Sequence, residues 1–198
     1  MRRARKLRGE LALAVALAVV APAGASTFLR VGLDYLVAQN GLIVVGDALS
    51  TSSYWNEPGT LILTDVRFSV SEVLRGKLAD REITVTLPGG TVDGETIAVI
   101  GGAEMIPGNS YVLFLQQGNL PGVRGVRVVR DYAQGIFEIH PDREGARAVS
   151  QAVRMKLIPD AFGNATAPGG VQGLPLQGLR QSVHDLVERG FGREEAQR

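Results

Sequence analysis

The sequence predicts a mainly β domain of the sandwich or barrel kind, and three observations carry that reading. In Thr60–Lys77, Ile62, Val66, Phe68 and Val70 fall on one parity with Thr64 among them, while Asp65, Arg67, Ser69 and Ser71 fall on the other. That alternation describes a strand with one buried and one wet face. The parity then breaks at Glu72 and at the adjacent apolars Val73 and Leu74, the mark of a bulge or bend that a strand needs to curl around a barrel. About seven such segments follow one another at short spacing, separated by Gly and Pro.

The 198 residues suit one domain with processing and tail segments. Residues 1–10 carry a basic cluster, residues 11–23 an apolar run, and Ala23-Gly24-Ala25 a small-residue site before Ser26. This order predicts a secretory signal peptide over 1–25. The run falls short of the roughly 20 apolar residues a span needs, so no stable membrane span is expected after cleavage. The leader holds five of the 21 basic and one of the 20 acidic residues, which leaves 16 bases, 19 acids and a net charge of −3. A chain with no basic excess lacks the electrostatic footprint of a nucleic-acid binder. The absence of Cys excludes disulfides, thiolate zinc sites and a Cys nucleophile. Secreted or periplasmic localisation follows as the expectation.

Taken in order, Ser26–Asn40 predicts a short helix, with Leu29, Leu33, Leu36 and Val37 at helical spacing and Asn40-Gly41 as its stop. Leu42–Leu49 is a strand apolar enough to be covered on both faces, and Ser50–Gly59 reads as a polar loop carrying Tyr54 and Trp55. After the Thr60–Lys77 strand, Arg81–Pro88 places Ile83, Val85 and Leu87 inward, and Thr91–Ile100 places Ile97 and Val99 on one face. Tyr111–Leu115 is the longest apolar run of the expected mature chain and predicts a central strand. Val126 and Val128 mark another, and Gly135–His140 a last one, so the β domain is expected over 26–140. Residues 141–160 form an extension in which Arg147–Leu157 fits a strand and a helix equally well. Residues 161–175 read as a Gly/Pro/Ala-rich linker. In the expected amphipathic helix and tail, 176–198, Leu179, Val183, Leu186 and Val187 share one face and Gly190 is the stop.

No catalytic constellation stands out. His140 and His184 lie far apart and lack the converging ligands a metal needs, so neither metal nor cofactor is expected. The cluster Ser50, Thr51, Ser52, Ser53 belongs to no nucleophile motif. Gly89-Gly90 and Gly101-Gly102 match no phosphate loop and read as backbone punctuation. Asn164-Ala165-Thr166 is a glycosylation sequon, relevant only in a eukaryotic secretory pathway. Glycosidic chemistry needs two carboxylates held about 5–10 Å apart across a cleft, for which Asp65, Asp93, Glu95, Asp131 and Glu138 are the candidates. Tyr54 and Trp55 are the candidate partner-binding residues, because aromatics on a loop over a rigid scaffold make contact hot spots.

The order EVLRGK, ITVTLPGG, PGNSYVLFL and YAQGIFEI resembles uncharacterised exported bacterial proteins. Their five-stranded OB-type barrel is similar to the netrin-like, or tissue-inhibitor-of-metalloproteinases-like, domain. The resemblance covers Gly41 to Ile139 and implies an OB-like antiparallel barrel, closed or partly open, with a non-enzymatic role such as protease inhibition or partner binding. The animal inhibitors chelate zinc through an N-terminal Cys and carry disulfides; this chain has neither, so no inhibitory residue carries over. The expected function is an exported binding module for a protein or cell-envelope component. An envelope-polymer hydrolase using paired carboxylates and a purely structural module are the alternatives.

Overall fold

The structure, a computed structural model, describes residues 27–143 and 145–190. The expected leader, 1–25, and the end of the tail, 191–198, lie outside the described residues.

The chain opens with β1 (Phe28–Leu29) and α1 (Leu33–Gln39), followed by β2 (Leu42–Trp55), β3 (Ile62–Arg75) and β4 (Glu82–Pro88). A small hairpin, β5 (Gly90–Val92) and β6 (Glu95–Ile97), precedes β7 (Ser110–Leu120) and β8 (Val123–Val129). Then come β9 (Ile136–Asp142), β10 (Gly145–Ser150), β11 (Leu157–Ile158), β12 (Leu174–Pro175) and α2 (Leu176–Glu188). The main sheet runs β12-β10-β9-β7-β2-β3-β4, with β8 also paired to β7. All its pairings are antiparallel, and the described residues are mainly β with two α-helices. The sheet does not close among the described residues: β4 and β8 come alongside each other, yet no hydrogen-bond ladder joins them.

Curvature comes from β2 and β3. In their ladder Gly46 faces Val70 but Val45 faces Glu72, and Val44 faces Val73 but Ile43 faces Arg75, so Ser71 and Leu74 are extra residues on β3. Two such insertions within four residues bend and over-twist a strand. They also let neighbouring side chains serve opposite faces, with Val73 packed on the interior cluster and Leu74 on the one beneath the helices. Gly46 sits at the bend because a Cβ there would lie 2.0 Å from the Ser69 carbonyl oxygen.

Two apolar clusters result. Inside the curl lie Val44, Val66, Phe68, Val85, Tyr111, Leu113 and Ile136. On the outer side, Ile43, Val45, Val112, Phe114 and Phe137 pack beneath Leu36 and Val37 of α1 and Leu179 and Val183 of α2. Strands β2 and β7 are buried on both faces at this point, which is why Leu42–Val45 and Tyr111–Leu115 are apolar without a break. Helix α2 docks as its pattern predicted and adds an ion pair from Arg180 Nε to Glu72 Oε2 at 2.8 Å.

Several expectations change. The N-terminal helix covers only Leu33–Gln39; Phe28–Leu29 pairs in parallel with Leu157–Ile158, and Leu29 is exposed. The Ser50–Gly59 loop is mostly strand, since β2 continues to Trp55 opposite Ile62. Thr91–Ile100 is not one strand but a hairpin, with Asp93 (φ 50°) and Gly94 (φ 84°) at its turn, the Asp-Gly pair that type I′ turns favour. The sheet also continues past residue 140. The undecided stretch Arg147–Leu157 is strand β10 up to Ser150 and then a 3-10 turn over Gln151–Arg154, and β12 pairs with β10 from within the expected linker, where Arg147 donates to the Gln172 and Gly173 carbonyls. Hydrogen bonding to a strand edge orders a segment whose composition has no period of its own.

Candidate functional site

The candidate site is a groove of about 330 Å³ at the mouth of the curled sheet. Its floor is continuous with the interior core, through Val66, Leu87 and Met105. One wall comes from Thr51 and Thr64 on β2 and β3, the other from the segment after β6, with Val99, Glu104 and Ile106. Ile97 and Val99, read from sequence as sharing a face, both line it.

Each wall is fixed by hydrogen bonds. Thr64 Oγ1 donates to the Gly89 carbonyl at 2.7 Å and lies 2.9 Å from Ser53 Oγ. Gly90, with φ 140°, passes so close that a Cβ would stand 2.3 Å from Thr64 Oγ1, a crossing that requires Gly. The opposite wall hangs on two side chains. Tyr111 is fully buried, and its hydroxyl accepts the Ile106 backbone N–H at 2.8 Å. Burial, more than any neighbouring charge, raises the Tyr111 pKa, so the phenol stays protonated. Gln151 accepts the Glu104 N–H at 3.0 Å and donates to the Glu104 carbonyl at 2.6 Å, acting as a one-residue strand partner. The rim residue Ile106 is 57% exposed.

Tyr54 and Trp55 sit at the end of β2, and strand alternation sends them to opposite faces. The Tyr54 hydroxyl donates to Asp65 Oδ1 at 3.3 Å, and Thr86 Oγ1 donates to the same oxygen at 2.7 Å. Burial first, then the Asp65 charge, raises the Tyr54 pKa. Trp55 shares its parity with Ser53 and Thr51 on the groove side and is partly exposed. The two aromatics therefore do not form one patch.

The acidic candidates are dispersed. Asp65 belongs to the polar trio just described. Asp93 and Glu95 lie on the β5–β6 hairpin, and Glu138 accepts from Asn109 Nδ2 at 3.0 Å. Asp131 precedes a 3-10 turn with φ 57°; burial raises its pKa, against the opposing pull of Arg130, whose Nε lies 3.6 Å from Asp131 Oδ2. None of these five lines the groove, whose lining includes a single carboxylate, Glu104. His140 and His184 stand beside Glu138 and Glu188, at 3.8 and 3.2 Å. No group of three or more potential metal ligands occurs among the described residues. Nor is any described helix long and apolar enough to cross a membrane.

Sequence reasoning missed Ile106, Tyr111 and Gln151 as builders of the groove. Only the Asp93-Gly94 turn signal was available in advance, and it locates the hairpin rather than the cleft. No protein-family model matches the chain, and no curated protein matches it in sequence.

Proposed function

We propose that the chain is an exported, non-enzymatic binding module built on a partly open OB-like barrel, and that a protein partner seats in the groove. The order β4-β3-β2-β7-β8, with β4 returning beside β8, supports the barrel reading. The observation that carries the function is the groove's construction. Its floor is core-continuous and apolar, its rim carries exposed Ile106, and both walls are held by part-buried or bidentate hydrogen bonds. A pre-formed apolar cleft with a few fixed polar groups favours recognition, because little ordering entropy is lost on binding. The basic and apolar leader, with its small-residue site, supports export. The hydrolase alternative has no such observation behind it, since the five candidate acids do not meet in the groove. The structural-module alternative loses its proposed docking element, because α2 is committed to the chain's own core.

The test compares baits. Wild-type protein and Ile106→Asp are used to capture partners from the secreted or envelope fraction of the source cells, with Trp55→Ala in parallel. A specific partner should be recovered by the wild type and fall at least about tenfold with Ile106→Asp, as loss of an anchor residue in a pocket does, at unchanged melting temperature. Indistinguishable capture by wild type and Ile106→Asp would remove the groove from the function.

A further inference from the structure

At the other end of the β2–β3 ladder lies a second cavity, of about 430 Å³, whose wall has a different chemistry. Its apolar side is Leu42, Leu78 and Leu115, all packed on the interior cluster. Its polar side carries the cations Lys77 and Arg127 and three glutamines, and no carboxylate among the described residues lines it. Among the described residues neither Lys77 nor Arg127 has a side-chain hydrogen bond or ion pair. Arg127 faces Gln117 across the β7–β8 ladder. Gln116 Oε1 is already taken by Arg130 Nη1 at 2.9 Å, which leaves the Gln116 amide as a donor. The cavity therefore offers charged and neutral donors on one side and leucine on the other. The contrast with a neighbouring-groove cavity is informative: there Arg154 and Lys156 share the wall with Glu104, so the positive charge is offset within the wall itself.

We propose that this cavity binds a small amphiphilic anion, a carboxylate or phosphate head with a short apolar chain. The head lies between Lys77 of the β3–β4 connection and Arg127 of β8, where two cations from separate parts of the chain supply charge-assisted hydrogen bonds. The chain lies against Leu42, Leu78 and Leu115, where leaving water is favourable. In a protein with more acids than bases over its expected mature length, an uncompensated pair of cations converging on an apolar hollow discriminates strongly by charge. The cavity volume falls within the range usual for small-ligand sites, about 300–1,000 Å³. The site is separate from the groove, so its fate and that of the proposed protein contact are decided independently.

Calorimetric titration of the purified protein with decanoate, decyl phosphate, inorganic phosphate, decanol and decyltrimethylammonium tests this. Decanoate or decyl phosphate should bind at one site per chain, with weaker affinity at higher salt. Inorganic phosphate, decanol and the cationic amphiphile should each bind at least about tenfold more weakly, because each lacks one half of the recognition. Gln117→Glu, an exposed near-isosteric change, places a carboxylate opposite Arg127 and should lower decanoate affinity by about tenfold or more at unchanged melting temperature. The double variant Lys77→Gln, Arg127→Gln should do the same. The proposal is overturned if neither decyl anion saturates a single site. It is equally overturned if inorganic phosphate binds as tightly as decyl phosphate, or if both variants bind decanoate as the wild type does.

Discussion

Along β2, Leu42–Ala48 and Leu49–Trp55 meet different surroundings. In the first stretch both faces are buried as far as Gly46, with Asp47 exposed beyond it: Val44 and Ala48 enter the interior, while Ile43 and Val45 face the two helices. In the second, Thr51 lines the groove and Ser53 bonds Thr64 in its wall, whereas Tyr54 joins a polar outer face with Asp65 and Thr86. The residues change character at the Leu49 bulge, where the β2–β3 register slips. The comparison teaches that one continuous ladder supports two kinds of surface: a sealed half that holds the fold and an open half that presents the groove.

The largest effect expected from this division is in the sealed half. Phe114 is fully buried beneath the helices, with its ring centroid 5.7 Å from that of Phe137. Phe114→Ala should cost roughly 3–5 kcal/mol through lost burial and a residual cavity, read as a shifted denaturant midpoint. A cost below about 1 kcal/mol, far under that cavity range, would mean the helix-covered face contributes little.

An intermediate effect is expected at the tip of the open half. Buried Asn56 accepts the Thr60 and Leu61 N–H groups at 2.8 and 2.9 Å and donates to the Pro121 carbonyl at 3.1 Å. It thereby ties the β2–β3 connection to the β7–β8 turn. Asn56→Ala strands these groups and should cost roughly 1–3 kcal/mol, with faster amide exchange at Thr60 and Leu61. If it costs as much as Phe114→Ala, the open half is not the weaker one and the comparison fails.

The smallest effect belongs to the exposed outer face. Arg67 reaches Glu82 Oε1 at 2.6 Å, with side-chain exposures of 60% and 50%. An exposed pair loses most of its attraction to water and salt, so Arg67→Ala should move stability by about 0–1 kcal/mol. A larger loss in the same melt would show that the outer face is more tightly coupled than its exposure implies.

The sealed half was the legible half. The apolar run Tyr111–Leu115 announced a central strand, and Leu42–Leu49 a strand covered on both faces, which holds to Gly46 while Asp47 and Leu49 are exposed; the parity break at Glu72 announced the bulge. Leu179 and Val183 announced a docking helix. The open half was misread because Ser50–Ser53 has the composition of a loop; pairing with Thr64–Arg67 makes it a strand. Asp93-Gly94 carried a hairpin signal that the alternation of Thr91–Ile100 obscured. Tyr54 and Trp55 were located as a pair, yet adjacent strand residues cannot share a face.

By itself the sequence determined what depends on spacing along the chain: the β character, the positions of most strands, the bend in β3 and the apolar face of α2. Period-2 and period-3.6 patterns are local, so they survive without knowledge of partners. Tertiary structure alone decided that β4 and β8 meet without a ladder, that β10 and β12 extend the sheet, and that a groove and a cation-lined cavity form at its two ends. Those features are made by side chains such as Gln151, which bonds Glu104, and Lys77 and Arg127, which line one cavity, pairs distant in sequence and selected by how the sheet bends.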